Sequence, residues 1–359
     1  MLISTAAFGA SQRQAGGLAG NPIQIGACLD VVQEFSSEGE HEFEVRALEI
    51  NIGAAVDPFF DFVTTISWHE GEIDIEEAWV SVVLPLSFKF QFGRELLPFG
   101  YLNRIHEHDF PQVDQPYAIE GLMTDHGLIG DGGHLEWLSP LINPTLSLSF
   151  GMYYQIEHSV GRRFNGWPII ARLSSFWQNW EGTHAIMAGA SYVSSIGDRD
   201  PMEGRLDGSG ETSENRARGK ISQAFGVDFK YRFTPRGTTY RGLTLGAEYV
   251  HFEYDPYEPH VDVDASTDVG SDSGFYAYAQ WDFNRFWGIG YRFDHTDVLF
   301  SSLEDDAMIT AHSIYAEWRG SEFSRIRMQY QLLDEDGDQE HLVMLQGTFF
   351  VGWHPPHRF

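Results

Sequence analysis

The chain has 359 residues, a formal net charge of −29, 14% aromatic residues, 37 glycines and no uncharged apolar run near the roughly 20 residues of a spanning helix. That excludes a helical membrane protein. Acidity on this scale argues against nucleic acid or anionic headgroups as the main partner, and for cations as the mobile species drawn to it.

The opening MLISTAAFGASQ has an apolar stretch and small residues suited to cleavage near Gly9 or Ala10, with no Lys or Arg before Arg13. It has the look of an export signal without its basic start, so residues 1–20 are read as a residual signal and N-terminal segment. The remainder, 21–359, reads as a single β-barrel domain. Its lone cysteine, Cys28, precludes an internal disulfide and reads as a small strand residue.

Beyond this point the chain is written in period two. In AFGVDFKYRF, Phe225, Val227, Phe229, Tyr231 and Phe233 share one face, and Gly226, Asp228, Lys230 and Arg232 the other. LSLSFGMYY, FYAYAQWDF, WGIGYRFD and IRMQYQL repeat the pattern. In chain order such segments predict strands at 22–33, 42–55, 58–68, 72–84, 86–94, 132–139, 144–156, 168–178, 183–195, 221–234, 242–254, 273–283, 287–298, 307–318, 324–333 and 341–353. Every second connector is tight (VDP, LPL, SPLINP, NWEGT, FTPRGTTYR, FNRF, GSEF), and those between are expected to be long, polar or acidic. Aromatics gather towards the ends of the apolar faces, while glycines and charges of both signs share the polar faces, as in a wet lumen. Backbone in lipid must be fully paired, so strands there must close. The fold class is therefore all-β: a 16-stranded antiparallel transmembrane β-barrel with a long, inward-folded third outer loop.

That loop is residues 95–133. It holds seven acidic residues (Glu95, Glu107, Asp109, Asp114, Glu120, Asp125, Asp131) against one base, Arg104, and apolar residues that a solvated loop would not need. The nearest place for them to pack is the barrel interior. Within it, RIHEHDF sets His106 and His108 two apart, so on an extended segment both imidazoles reach one zinc ion, with Asp109, Asp125 or His126 completing the set. The metal candidates are His106, His108, Asp109 and His126. Alternation also turns Lys89, Arg94, Arg172, Lys230, Arg232, Arg292 and Arg327 inward, together with Glu49, Asp61, Glu77, Glu136, Asp228, Asp282 and Asp294. Two readings follow: wall bases opposite an acidic loop set up a field across the pore, or the charges pair along neighbouring strands. The constriction is expected to comprise Glu107, Asp109, Asp114 and Asp125 with Arg94, Arg172, Arg292 and Arg327.

A sixteen-stranded barrel with this loop resembles the bacterial general and substrate-specific porins, whose third loop folds inward to constrict the pore. FGRELLPFG (Phe92–Gly100) is similar to a GR-x-x-x-PFG segment in relatives of the phosphate-selective porins. DPFFDF, IEEAWV, GRELLPFGYLNRIHEHDFP and DGGHLEWLSP together resemble a group of outer-membrane proteins often labelled zinc-regulated receptors. The loop's acidity does not carry over anion selectivity, and the roughly twenty residues before the first strand leave no room for the plug of an energy-coupled receptor. The terminal WHPPHRF, ending in Phe359, resembles the assembly signal of outer-membrane barrels, interrupted by Pro355 and Pro356. His354 and His357 have no fixed geometry there.

The expected activity is an outer-membrane diffusion channel of a Gram-negative bacterium. It would pass small hydrophilic solutes with a preference for cations, divalent zinc among them, sit among lipid and lipopolysaccharide, and assemble as a homotrimer. The alternative is a plugged barrel that binds metal or serves as a structural or adhesive protein. No G-x-S-x-G or comparable signature points to an enzyme, and no cofactor is required.

Overall fold

The computed structural model describes residues 23–39, 41–69, 72–120, 123, 127–140, 143–157, 164, 167–196, 221–254, 271–298 and 307–353. The export segment, Asp125, His126, His354, His357 and the acidic stretch 255–270 lie outside the described residues.

The sixteen strands are β1 (Gln24–Ser36), β2 (His41–Ala55), β3 (Phe60–His69), β4 (Glu72–Leu84), β5 (Phe88–Leu96), β6 (Ile129–Leu138), β7 (Thr145–Glu157) and β8 (Trp167–Gln178), followed by β9 (His184–Ile196), β10 (Ile221–Phe233), β11 (Gly242–Tyr254), β12 (Ser271–Asp282), β13 (Trp287–Val298), β14 (Ala307–Ser321), β15 (Ser324–Glu335) and β16 (Asp338–Gly352). Each pairs antiparallel with its chain neighbours, and β1 pairs with β16, so the sheet closes without an edge. Every expected strand is present, with ends displaced by a few residues. Because β5 runs on to Leu96 and β6 starts at Ile129, the loop expected at 95–133 spans 97–128.

The short–long rhythm of connectors holds in the middle of the chain and fails near its ends. The connectors after β1, β3 and β15 occupy only 37–40, 70–71 and 336–337. The last is an Asp-Gly turn with φ of 52° at Asp336 and 98° at Gly337, the left-handed pair that a two-residue hairpin requires. Length there is set by turn chemistry, which strand alternation does not report.

Burial runs inside out. Phe150, Leu173, Ile314 and Met328 are 56%, 52%, 54% and 53% exposed on the outer face, whereas Asp30, Arg292, Arg327 and Gln329 are fully buried inside. A soluble protein does not leave a closed apolar wall to water, whereas a membrane-spanning barrel presents it to lipid.

Two bulges break the alternation on one side of the lumen. On β2 the register moves from Asp30↔Ala47 to Val32↔Glu44, so Arg46 and Ala47 are both buried. On β4 it moves from Thr65↔Glu77 to Ile66↔Ile75, leaving Glu76 as the extra residue. A bulge re-aims side chains, and here it lets consecutive residues face inward.

Candidate functional site

The connector 97–128 is fastened to the inner wall along two stretches. At its neck, Leu97 N–H donates to Leu128 O at 2.9 Å, and Asn103 Nδ2 donates to Leu97 O at 2.9 Å and Leu128 O at 3.1 Å. From there Leu97, Phe99, Leu102, Ile119 and Met123 pack with inward residues of β7–β12, including Tyr153, Val250, Phe252 and Tyr276, into an apolar core inside the barrel. Phe99 meets Phe252 at a ring distance of 6.1 Å. Glu248 on β11 accepts the Tyr101 and Leu102 N–H groups, each at 3.2 Å, and the Tyr276 hydroxyl at 3.1 Å. Gly100, the last residue of the PFG segment, explains itself here: its φ is +66°, and a Cβ would fall 1.7 Å from Glu248 Oε1. Lys230 Nζ donates to the Tyr101 hydroxyl. Burial, reinforced by Tyr278 and Glu248, pushes that phenol well above its usual pKa, so it remains a neutral acceptor.

The second stretch, Ile105 to Asp114, is held by charge. Arg46 lies 2.6 Å from Asp30 and 3.1 Å from Glu107, and also donates to Val113 O. Arg292 lies 2.8 Å from Asp114 and 2.6 Å from Asp294. Arg325 and Arg327 donate to the carbonyls of His108 and Phe110, and Val113 N–H donates to Gln329 Oε1 at 3.0 Å. The helical turn α1 (Tyr117–Glu120) then packs on β12 and β13.

Among the expected constriction residues, Glu107, Asp114, Arg292 and Arg327 meet where loop and wall join. Arg172 does not face the loop's acids. It is locked to Asp228 at 2.6 and 2.9 Å and to Ser191 at 2.8 Å, and that serine accepts Gly100 N–H at 3.0 Å. Arg94 departs from the expectation altogether. In a strand without a register shift it shares its parity with exposed Phe90 and Phe92, and it pairs with Asp131 at 3.5 Å on the outer face. Position five after inward Lys89 cannot be inward too. Arg46–Glu107 and Arg292–Asp114 are contact pairs between wall and loop, whereas Arg325 and Arg327 meet loop carbonyls.

The histidines occupy the bulged side. His106 Nδ1 lies 2.9 Å from Glu76 Oε2, and its Nε2 lies 3.1 Å from Glu77 Oε2. His108 Nδ1 lies 2.8 Å from Glu49 Oε1, and its Nε2 lies 3.4 Å from Asp109. The segment is not extended, because Glu107–Asp109 forms a 3₁₀ turn, and the two rings stack in parallel at 5.7 Å. They consequently address different carboxylates, and Asp109 falls with His108 instead of completing a site on His106. Burial opposes charge on both rings. For His106 the hydrogen bonds to Glu76 and Glu77, and for His108 the charges of Glu49 and Asp109, outweigh it, holding both pKa values well above the usual imidazole range. Beside His106 is a cavity of about 20 Å³ lined in part by Glu49, Ser67, Glu76 and Gln115.

Sequence reasoning missed Arg46, Glu76, Glu248 and Arg325. For Arg46 and Glu76 a faint signal exists, since VRALEI and IEEAWV interrupt strict alternation where the bulges fall. Glu248 and Arg325 carry no local signal: their roles depend on where a distant loop lands.

No family model matches the chain. An uncharacterized protein of Aquifex aeolicus (strain VF5) is 24% identical over 370 residues, covering 92% of this chain and 75% of that protein. Among solved structures, a complex of Salmonella typhi OmpF with daunomycin is similar with a TM-score of 0.60 at 11% identity, over 92% of this chain and 98% of that one. An anion-selective porin from Comamonas acidovorans is similar with a TM-score of 0.58 at 8% identity, over 92% and 100%. The fold is that of the sixteen-stranded porin barrels.

Proposed function

We propose that this chain is a bacterial outer-membrane diffusion channel that passes small hydrophilic solutes, prefers cations and assembles as a homotrimer among lipid and lipopolysaccharide. One observation carries the reading: an inside-out barrel whose lumen is crossed by the loop 97–128, anchored on opposite walls. Such a loop narrows the passage and sets what its rim presents to a solute. Arg46 and Arg292 are engaged by loop carboxylates, and further carboxylates line the wall. Glu34 stands directly across from Glu42 on the inward parity of β1 and β2, with Glu44 next to them. Like charges in register are destabilising without cations between them, so this rim favours cation entry. Divalent zinc belongs to the same reading, as does a kinship with the porin-like group labelled zinc-regulated receptors.

Single-channel recording in a planar bilayer under asymmetric salt tests it. The reversal potential should have cation sign, more strongly at low salt, since the Debye length grows from about 10 Å at 0.1 M to about 30 Å at 0.01 M. An anion-sign potential at low salt would falsify the preference. A second reading draws on the apolar core within the lumen: if the loop fills the cross-section, the barrel is a plugged metal-binding or structural protein, and the folded protein passes no current.

A further inference from the structure

We infer that the pocket where the loop meets β2 and β4 is a site for one divalent transition-metal ion, ligated by Glu49, Glu76 and His106. A ligating atom from each of these three residues, contributed by two strands and the loop, lies within 4.8 Å of the other two. They border the cavity of about 20 Å³, which is room for one small ion or water.

An independent feature points to a ligand. Glu49 is only 2% exposed; its Oε1 engages His108, while its Oε2 has no hydrogen-bond partner. A buried carboxylate oxygen left without a partner is costly, and an ion in the cavity would supply one. The second ring nitrogen of His106 has the support that metal-bound imidazoles use: Glu77 Oε2 is 3.1 Å from Nε2 and holds the proton there, so an ion entering beside Glu76 displaces only the proton on Nδ1. The bulge at Glu76 is what allows two consecutive glutamates to serve the two nitrogens of one ring.

Two carboxylates balance a dication once the imidazole has released its Nδ1 proton to become a neutral ligand. One nitrogen and two oxygens suit zinc and its neighbours better than magnesium or calcium, which take oxygen ligands. Bound there, the ion ties the loop to β2 and β4 and sets its resting position. Only that role rests on the channel reading, because binding itself requires no conduction.

The test uses the full chain, folded in detergent and stripped with chelator, titrated with cobalt(II) for its visible spectrum and then displaced with zinc. One cobalt per chain should bind, at least about tenfold more weakly in Glu76→Gln and His106→Ala and unchanged in Asp109→Asn. Gel mobility without heating and circular dichroism confirm that each variant is folded, and Glu76→Gln keeps the shape of the side chain. Absence of saturable cobalt in the folded wild type, or equal binding by Glu76→Gln, overturns the site. Loss in Asp109→Asn with retention in Glu76→Gln overturns this ligand set. A silent bilayer with cobalt binding intact counts against the channel and leaves the site standing.

Discussion

The two ends of the loop's path are held by opposite kinds of force. Near Phe99 and Leu102 the attachment is apolar, closed over a buried Glu248 that accepts two backbone N–H groups. From Ile105 to Asp114 it is ionic, made by Arg46, Arg292, Arg325 and Arg327 and by two histidines against four carboxylates. An apolar contact responds little to solution conditions. The ionic stretch can respond to protons and metal ions, so the loop has a fixed root and an adjustable limb.

Breaking the root should have the larger effect. Phe99→Ala empties a fully buried position and is expected to cost about 4 kcal/mol, read as a lower unfolding temperature of the detergent-folded protein, with conductance raised because the whole loop loosens. If conductance is unchanged, the root does not position the loop.

On the limb, Arg292→Ala leaves Asp114 and Asp294 facing each other in a buried setting and should cost about 3 kcal/mol. The comparison predicts a narrower consequence than for Phe99: cleavage by trypsin after Arg104 should speed up while the unfolding temperature falls less. Equal effects from the two substitutions would mean that root and limb move as one unit.

The smallest effect is that of pH. His106 and His108 have folded pKa values raised above the unfolded value, so their stabilisation is complete below about pH 6.5 and is lost as pH rises through the raised values. In chelator, raising pH from about 6 to about 9 should therefore loosen the limb, seen as faster cleavage after Arg104. The double variant His106→Ala, His108→Ala should show a flat profile.

The strands were legible because period two is a local signal: each inward Gln329 or outward Met328 announces itself by its neighbours. The loop's acids and histidines were legible as a group. Their partners were not, since Val113 finds Gln329 and Asp114 finds Arg292 at separations of 216 and 178 residues. Glu76 escaped because one inserted residue reverses parity without altering composition. Arg94 was misplaced by treating any strand charge as inward, although at the outer end of β5 a charge on the outer face can pair with Asp131 near the rim.

The loop's holdfasts also impose an order in time. Its limb touches Arg46 on β2 as well as Arg325 and Arg327 on β15, strands brought together only when β1 zips to β16. The clasp cannot form on a nascent or half-inserted sheet, so a seated loop certifies that barrel assembly is complete. Resistance of the Arg104 bond to protease during membrane insertion would then serve as a clock for the closing of the final seam.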